Sequence, residues 1–289
     1  MRIPIRSTVY SVLILSIALS LGFSGCSGKS HSTEPAIICG TSLIADIVQD
    51  ISSLHAETYT LLPSSSCPSQ FDMKAGDIHL LQEARSVLLH PWQLRLANIT
   101  RIIDAAKLPD HKVRVFEADG NWMIPSEQRA AVTEVLEVLL EIAPHEEGAM
   151  REKAAARQER IDTVEQAARQ SLALEKTQGI SVCCHEMQTS FLTWAGFTVA
   201  ASFNRPEDYS VSDMESLLHK SRDAGVLLVV DNLQSGGLSA GQMLAKDLNA
   251  AYTVLTNFPG ASSDTATWES AFQSNISLLT EALTSLESL

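Results

Sequence analysis

Residues 146–174 read EEGAMREKAAARQERIDTVEQAARQSLAL, with no Pro and a single Gly near the start. Within this stretch, residues spaced three or four apart share one helix face: Met150, Ala154, Arg157, Ile161, Val164, Ala168 and Leu172. At about 1.5 Å per residue, the helix would be about 42 Å long, enough to run the height of a globular protein. Short apolar runs alternate with amphipathic stretches on both sides of it. The pattern predicts two α/β lobes joined by one long helix; a surface helix within a single domain is the alternative.

Predicted strands alternate with predicted helices in both flanking regions, which indicates a mainly parallel sheet in each lobe. We assign residues 1–25 to a signal peptide, 26–145 to the N-terminal lobe, 146–176 to the linking helix and 177–289 to the C-terminal lobe. In such sheets, ligands bind beyond the carboxyl ends of the strands. The loops at these ends are therefore the places to look for a site.

The N-terminus has the features of an export signal. Arg2 and Arg6 precede a charge-free apolar run over residues 8–23, and small residues lead to Cys26 and a polar tail. This order is typical of a secretory signal peptide, and the small residues before Cys26 suit a lipoprotein cleavage site. We expect Cys26 to carry lipid and to attach the protein to the membrane, either at the outer face of the cell membrane or in the periplasm.

Composition narrows the possible partners. The formal net charge is −13, and it becomes −15 when Arg2 and Arg6 are removed with the signal. An acidic chain of this kind is not expected to bind nucleic acid. Four cysteines remain besides Cys26, without a CxxC motif or the spacing of a disulfide scaffold. We expect a monomer.

Several polar or aromatic residues stand where predicted strands end. In the first lobe these are Cys67, His90 and Trp122, and in the second lobe His185, Asp231 and Asn257. Because the carboxyl ends of parallel strands share one edge of the sheet, we expect these side chains to face one crevice. A fourth position in the first lobe, Ser69, lies two residues after Cys67 in the same loop.

Over nearly the whole mature chain, the order of these segments resembles the cluster A-I solute-binding proteins of metal ABC transporters, the TroA-like and ZnuA-like family. The resemblance rests on the segment IVQDISSLHAETYTLLP at 47–63, the loop LLHPWQLRL at 88–96, the helix start LEIAPHEEGAMREKAAARQERID at 140–162 and the strand that ends in Cys184-His185. It implies a receptor, not an enzyme, that captures a zinc or manganese ion between two lobes. The cargo would then pass to an ABC transporter permease.

The positions of the family's metal ligands are poorly kept. The family usually holds its ion with three His and one carboxylate. Ser69 stands at the first His, Gly120 replaces the second within GNWMIP (120–125), His185 matches the third, and Asn257 stands at the carboxylate. The resemblance therefore implies one retained ligand of four.

A rebuilt metal site is the first hypothesis. Cys67, His90 and His185 would be the ligands, with Ser69, Trp122, Asp231 and Asn257 lining the pocket. A thiolate with two imidazoles suits Zn²⁺ or copper better than Mn²⁺, so zinc is the first choice of cargo and copper or manganese the others.

Three alternatives stay open from the sequence. The crevice could hold a metal chelate or a small organic molecule, since Ser, Gly and Asn make it roomier and less charged than a His-rich site. The protein could be a surface protein that no longer binds metal. A Cys–His pair could in principle act as nucleophile and base, but no other catalytic pattern accompanies it.

Overall fold

The structure is a computed structural model that describes residues 36–54, 57–72, 74–172, 177–205 and 208–287. The expected signal peptide and the expected lipid attachment at Cys26 lie outside these residues. None of the helices in these ranges is long and apolar enough to cross a membrane.

The first sheet is built from four short parallel strands in the order β2-β1-β3-β4. Their bounds are Ile37–Cys39 (β1), Thr58–Thr60 (β2), Ser86–Leu89 (β3) and Val113–Val115 (β4). β1 and β3 are buried along their whole length, as expected for central strands covered on both faces. The helices of this half are Ser42–Ile51 (α1), Ala75–Glu83 (α2), Ala97–Ala106 (α3) and Pro125–Ile142 (α4).

The second sheet repeats this arrangement in the order β6-β5-β7-β8, again with all neighbours parallel. Its strands are Ser181–His185 (β5), Thr198–Phe203 (β6), Leu228–Asn232 (β7) and Ala251–Leu255 (β8). Its helices follow the long helix Glu147–Leu172 (α5) and are Thr189–Trp194 (α6), Val211–Asp223 (α7), Ser239–Leu248 (α8) and Trp268–Glu287 (α9). The predicted fold class, two mainly parallel sheets flanked by helices and joined by one long helix, is confirmed. The lobe boundaries in the sequence stay predictions.

α5 is 26 residues long and buries the face that its sequence period predicts. Its buried residues are Met150, Ala154, Arg157, Ile161, Val164, Ala168 and Leu172. This face packs against α1 and α4 of the first half and against α9 of the second. One hydrophobic core consequently extends through both halves and includes Ile47 of α1, Val182 of β5 and Leu279 of α9.

A buried cation lies in the middle of α5. The Arg157 side chain is 1% exposed, and it donates to Asp50 Oδ2 at 2.9 Å and to Asp46 Oδ2 at 2.5 Å, both on α1. One turn later, Arg160 pairs with Asp50 and, at 3.1 Å, with Glu269 of α9. Desolvation raises the pKa of Asp46, although the charge of Arg157 opposes the rise. These ion pairs tie the linking helix to both halves of the molecule.

A candidate binding cleft between the two sheets

A cleft of about 590 Å³ lies where loops from both halves meet beyond the strands' carboxyl ends. Of the seven residues predicted to form or line a site, six line this cleft: Cys67, Ser69, His90, Trp122, His185 and Asn257. The seventh, Asp231, is not among its lining residues. The parallel topology therefore brings together most of the residues that the sequence selected.

His90 follows β3 directly and is held by its neighbours. Its Nε2 lies 2.8 Å from Thr41 Oγ1, and its ring packs edge-on to Trp122 at 4.2 Å and stacks on Trp92 at 5.5 Å, centroid to centroid. Only 2% of the residue is exposed, and burial lowers its pKa to about 3, so the ring is neutral. His90 thus packs the wall of the cleft, with the nitrogen best suited to a ligand already hydrogen-bonded.

His185 ends β5 on the opposite side of the cleft and is 4% exposed. Its Nδ1 accepts a hydrogen bond from the Met187 backbone N–H at 3.2 Å, while its buried Nε2 has no partner in the protein. Burial lowers the pKa of His185; nearby Glu186 opposes this and Arg205 adds to it. The neutral ring of this cleft-lining residue therefore keeps one nitrogen without a hydrogen-bond partner.

Cys67 and Ser69 lie together at the mouth of the cleft. Cys67 Sγ is 3.3 Å from Ser69 Oγ, and Ser69 Oγ also accepts from Arg205 Nη1 of the second half at 3.5 Å. Cys67 is half-buried and unpaired with any other cysteine. Ser69 thus takes part in a contact between the two halves.

The side chain of Asn257 is hydrogen-bonded to other amides. Its Oδ1 accepts from Gln188 Nε2 at 3.1 Å and from Asn121 Nδ2 at 3.3 Å, which uses both lone pairs of the oxygen. Gln188 also donates to Asn232 Oδ1 at 3.1 Å, and Gln234 Oε1 accepts from the Asn257 backbone N–H at 3.0 Å. This uncharged network crosses the cleft, because Asn121 belongs to the first half.

Sequence reasoning missed four members of this amide network: Asn121, Gln188, Asn232 and Gln234. Each lies within three residues of a selected residue along the chain. The signal in the sequence was their position near the carboxyl ends of predicted strands. Amide side chains are not typical ligands of a transition metal, so the expectation of a metal site did not select them.

The expectation that Asp231 lines the pocket is wrong. Its carboxylate is 1% exposed and accepts hydrogen bonds from the Asn232 backbone N–H at 2.7 Å and from Tyr252 OH at 3.2 Å. Successive side chains of a strand point to opposite faces, so Asn232 lines the cleft and Asp231 points away from it. Burial raises the pKa of Asp231 despite these donors. Its place in the fold is structural, against α8.

Gly241 of α8 provides a test of this packing. A Cβ atom at this position would lie 2.3 Å from Asp231 Oδ2 and 3.1 Å from Phe203 Cζ. We expect Gly241→Ala to lower the free energy of unfolding by about 1–3 kcal/mol because the buried carboxylate must move. Helix propensity alone predicts the opposite, a gain of about 1 kcal/mol.

Urea denaturation followed by circular dichroism measures this effect, with Gly148→Ala in α5 as the matched control. A Cβ at Gly148 would meet nothing within 4 Å, so that variant should be neutral or slightly more stable. Equal stabilisation by both substitutions would contradict the placement of Asp231.

The three predicted metal ligands line one cleft but do not form a metal cluster. Throughout the described ranges, no three His, Cys, Asp or Glu side chains are grouped so that they could hold a metal ion. Cys67 and His185 come from opposite halves, and His90 is engaged by Thr41. The cleft is lined by amides and hydroxyls, by the thiol of Cys67 and by the imidazoles of His90 and His185. Charged side chains also line it: Arg95, Asp119, Glu186, Arg205 and Asp208.

Comparisons with known proteins place this geometry in context. A family model described as "ZnuA: Zinc-uptake complex component A periplasmic" matches residues 37–282. No curated protein sequence matches the chain significantly.

Solved structures with the same fold include three metal-binding proteins. A Cd-bound periplasmic metal binding protein from Candidatus Liberibacter asiaticus is 14% identical, with a TM-score of 0.73 over 86% of this chain and 100% of that one. The periplasmic zinc binding protein TroA from Treponema pallidum is 17% identical, with a TM-score of 0.70 over 86% and 99%. The solute-binding protein FpvC of P. aeruginosa, in complex with Ni²⁺, is 16% identical, with a TM-score of 0.72 over 86% and 97%.

At these identities the structural likeness establishes the fold, and the family assignment rests on the family model, which spans most of the chain. The members of that family are periplasmic metal-binding receptors and not enzymes. The chain belongs to the ZnuA family of periplasmic zinc-uptake components.

Proposed function

We propose that this protein is the extracytoplasmic receptor of an ABC importer that takes up a transition metal. It captures its cargo in the cleft between the lobes and delivers it to the membrane permease. Export by residues 1–25 and lipid at Cys26 would hold it at the membrane as a monomer. Family membership and the cleft at the carboxyl ends of both sheets support this proposal.

The geometry favours cargo in the form of a metal complex, in which a small organic chelator supplies most of the metal's ligands. The observation that carries this choice is the donor set: no group of three metal-binding side chains occurs in the described residues that line a cleft of about 590 Å³. A tightly held Zn²⁺ needs about four N, S or O donors at roughly 2.0–2.3 Å. Pockets of about 300–1,000 Å³ are typical of sites for small molecules.

The second candidate is a bare ion held by Cys67 and His185, with His90 as the third ligand. It is favoured by one observation, that all three residues line the same cleft from its two sides. Thiolate and imidazole would select Zn²⁺ or copper ahead of Mn²⁺. For His90 to take part, its hydrogen bond to Thr41 would have to break.

Binding measurements separate the two forms of cargo. We would purify residues 27–289 under reducing conditions, measure bound metals by elemental mass spectrometry, and titrate with Zn²⁺, Mn²⁺ and Cu⁺, each alone and with excess citrate. If the cargo is a complex, we expect binding of the citrate complexes. Cys67→Ser should then change that affinity by less than about threefold, since the thiol is not a ligand.

His219→Ala serves as the control, because His219 is exposed on α7 and pairs only with Asp223 four residues away. The wild type and His219→Ala could each bind one equivalent of a bare ion that Cys67→Ser does not bind. That result would favour the second candidate, a bare ion, over a metal complex. A protein that binds neither form would rule out both.

A further inference from the structure

The Nε2 atom of His185 has no hydrogen-bond partner in the protein, and its protonation decides whether a bound cargo must offer a donor or an acceptor there. His185 is 4% exposed, its Nε2 is buried without a partner, and the residue lines the cleft. Its Nδ1 lies 3.2 Å from the Met187 backbone N–H, which can only donate. A neutral imidazole carries one proton, and Nδ1 is the acceptor here, so the proton is on Nε2. This cleft-lining side chain therefore carries a buried N–H donor that has no partner in the protein.

The amide network fixes this arrangement. The Met187 carbonyl oxygen accepts from Asn121 Nδ2 at 3.3 Å and from Asn257 Nδ2 at 3.5 Å. The same peptide segment donates its N–H to His185 Nδ1. At this turn of the chain, the backbone of Met187 is thus hydrogen-bonded at both its carbonyl oxygen and its N–H group. The carbonyl accepts one amide from each half of the molecule. Because the turn cannot rotate without losing these bonds, it holds His185 in the Nε2–H form.

A metal ion at Nε2 would require the other form of the ring. Coordination uses the lone pair of Nε2, so the proton would have to move to Nδ1, where it would face the Met187 N–H. A buried N–H donor left unpaired is costly, and a cargo atom with a lone pair removes that cost.

We propose that His185 recognises the cargo as a hydrogen-bond donor through Nε2–H, and that the cargo presents an oxygen acceptor there, such as a carboxylate or hydroxamate oxygen of a chelator. The inference rests on the proposed receptor function and specifies its substrate class: a metal held by an oxygen-rich chelator. In this proposal His185 selects the chelator by hydrogen bonding. The corresponding His that the resemblance implies for the family would instead coordinate the metal ion.

The tautomer of His185 can be read directly. Long-range ¹H–¹⁵N NMR correlations of the histidine rings in the purified protein distinguish Nε2–H from Nδ1–H, with His185→Gln used to assign the signal. We expect Nε2–H, unchanged by Zn²⁺ alone. An Nδ1-protonated ring, or a ring that becomes metal-bound on addition of Zn²⁺ alone, would overturn the inference.

Two substitutions at the same position test the role in binding. Gln places an amide N–H close to the position of Nε2–H but is a poor ligand for zinc, whereas Ala removes both functions. With Zn²⁺ in excess citrate as the probe, we expect His185→Ala to weaken binding about tenfold and His185→Gln less than about threefold, the difference made by one buried hydrogen bond. Equal losses in the two variants would overturn the donor role.

The same titrations separate this inference from the proposed function. Zn²⁺ alone and citrate alone are included as probes beside the mixture. If the wild type binds none of the three, the proposed function fails for this cargo class, and the NMR tautomer still decides the assignment of His185. If the mixture binds but the ring carries its proton on Nδ1, the receptor function stands and the donor role is wrong.

Discussion

Replacing Arg157 by Ala is expected to lower the free energy of unfolding by about 3–5 kcal/mol. Arg157 is 1% exposed and bonds the carboxylates of Asp46 and Asp50 on α1. The Asp46 side chain is only 12% exposed, so removing the guanidinium would leave a nearly buried negative charge without its partner. Chemical denaturation with urea, followed by far-UV circular dichroism, measures the loss.

Arg151→Ala is the matched control on the same helix. Arg151 pairs with Glu147 at 2.7 Å, but both side chains are more than half exposed. An exposed pair four residues apart on a helix contributes about 0.3–0.5 kcal/mol, so this variant should be close to the wild type. Similar small losses for the two variants would show that the Arg157 cluster does not hold α5 to the first half.

A second large effect is expected from Trp268→Ala, at about 3–5 kcal/mol of unfolding free energy. Trp268 begins α9 and is fully buried. Its ring stacks on Phe272 with centroids 5.0 Å apart, and its Nε1 donates to the Trp122 carbonyl oxygen at 2.8 Å. Truncation would leave a cavity at the point where the last helix meets the loop that lines the cleft.

Trp268→Phe separates packing from hydrogen bonding at this point. Phe keeps an aromatic ring against Phe272 but cannot donate to Trp122, so we expect a loss of about 1–2 kcal/mol. The Trp122 oxygen would still accept from the Gln128 amide at 3.0 Å, which in turn accepts from Arg157 at 2.8 Å. Thermal and urea unfolding of both variants provide the measurement. A loss in Trp268→Phe as large as in Trp268→Ala would mean that the hydrogen bond, and not packing, dominates.

The fold could be predicted from the sequence because its determinants are periodic. Every residue assigned to the inner face of the linking helix, from Met150 to Leu172, is buried. The residues chosen at strand ends came together because parallel topology sends all carboxyl ends to one edge of a sheet. Both conclusions depend on spacing along the chain and need no knowledge of contacts between distant segments.

The chemistry of the cleft could not be predicted in the same way. The partner of His90 is Thr41, 49 residues earlier, and the partners of Asn257 are Asn121 and Gln188, which no local pattern connects to it. The direction of Asp231 depends on where β7 ends: the strand continues to Asn232, so Asp231 lies within it and faces the side opposite to Asn232. Whether a polar side chain is free for a ligand depends on these distant hydrogen bonds, so the sequence could bring the selected residues to one cleft but could not assign their roles.

The order in which the chain supplies its elements has a consequence for how the molecule assembles. The first sheet lies within residues 37–115 and the second within 181–255, so neither sheet needs a strand from the other half. Each can therefore form from its own contiguous segment, the N-terminal one earlier during synthesis. The bonds from Trp268 to Trp122 and from Glu269 to Arg160 come from the start of α9, the last element of the chain. A chain truncated before residue 268 would thus contain every strand of both sheets but would lack the contacts of Trp268 and Glu269, while hydrogen bonds across the cleft, such as Ser69–Arg205 and Asn121–Asn257, would still join the two halves.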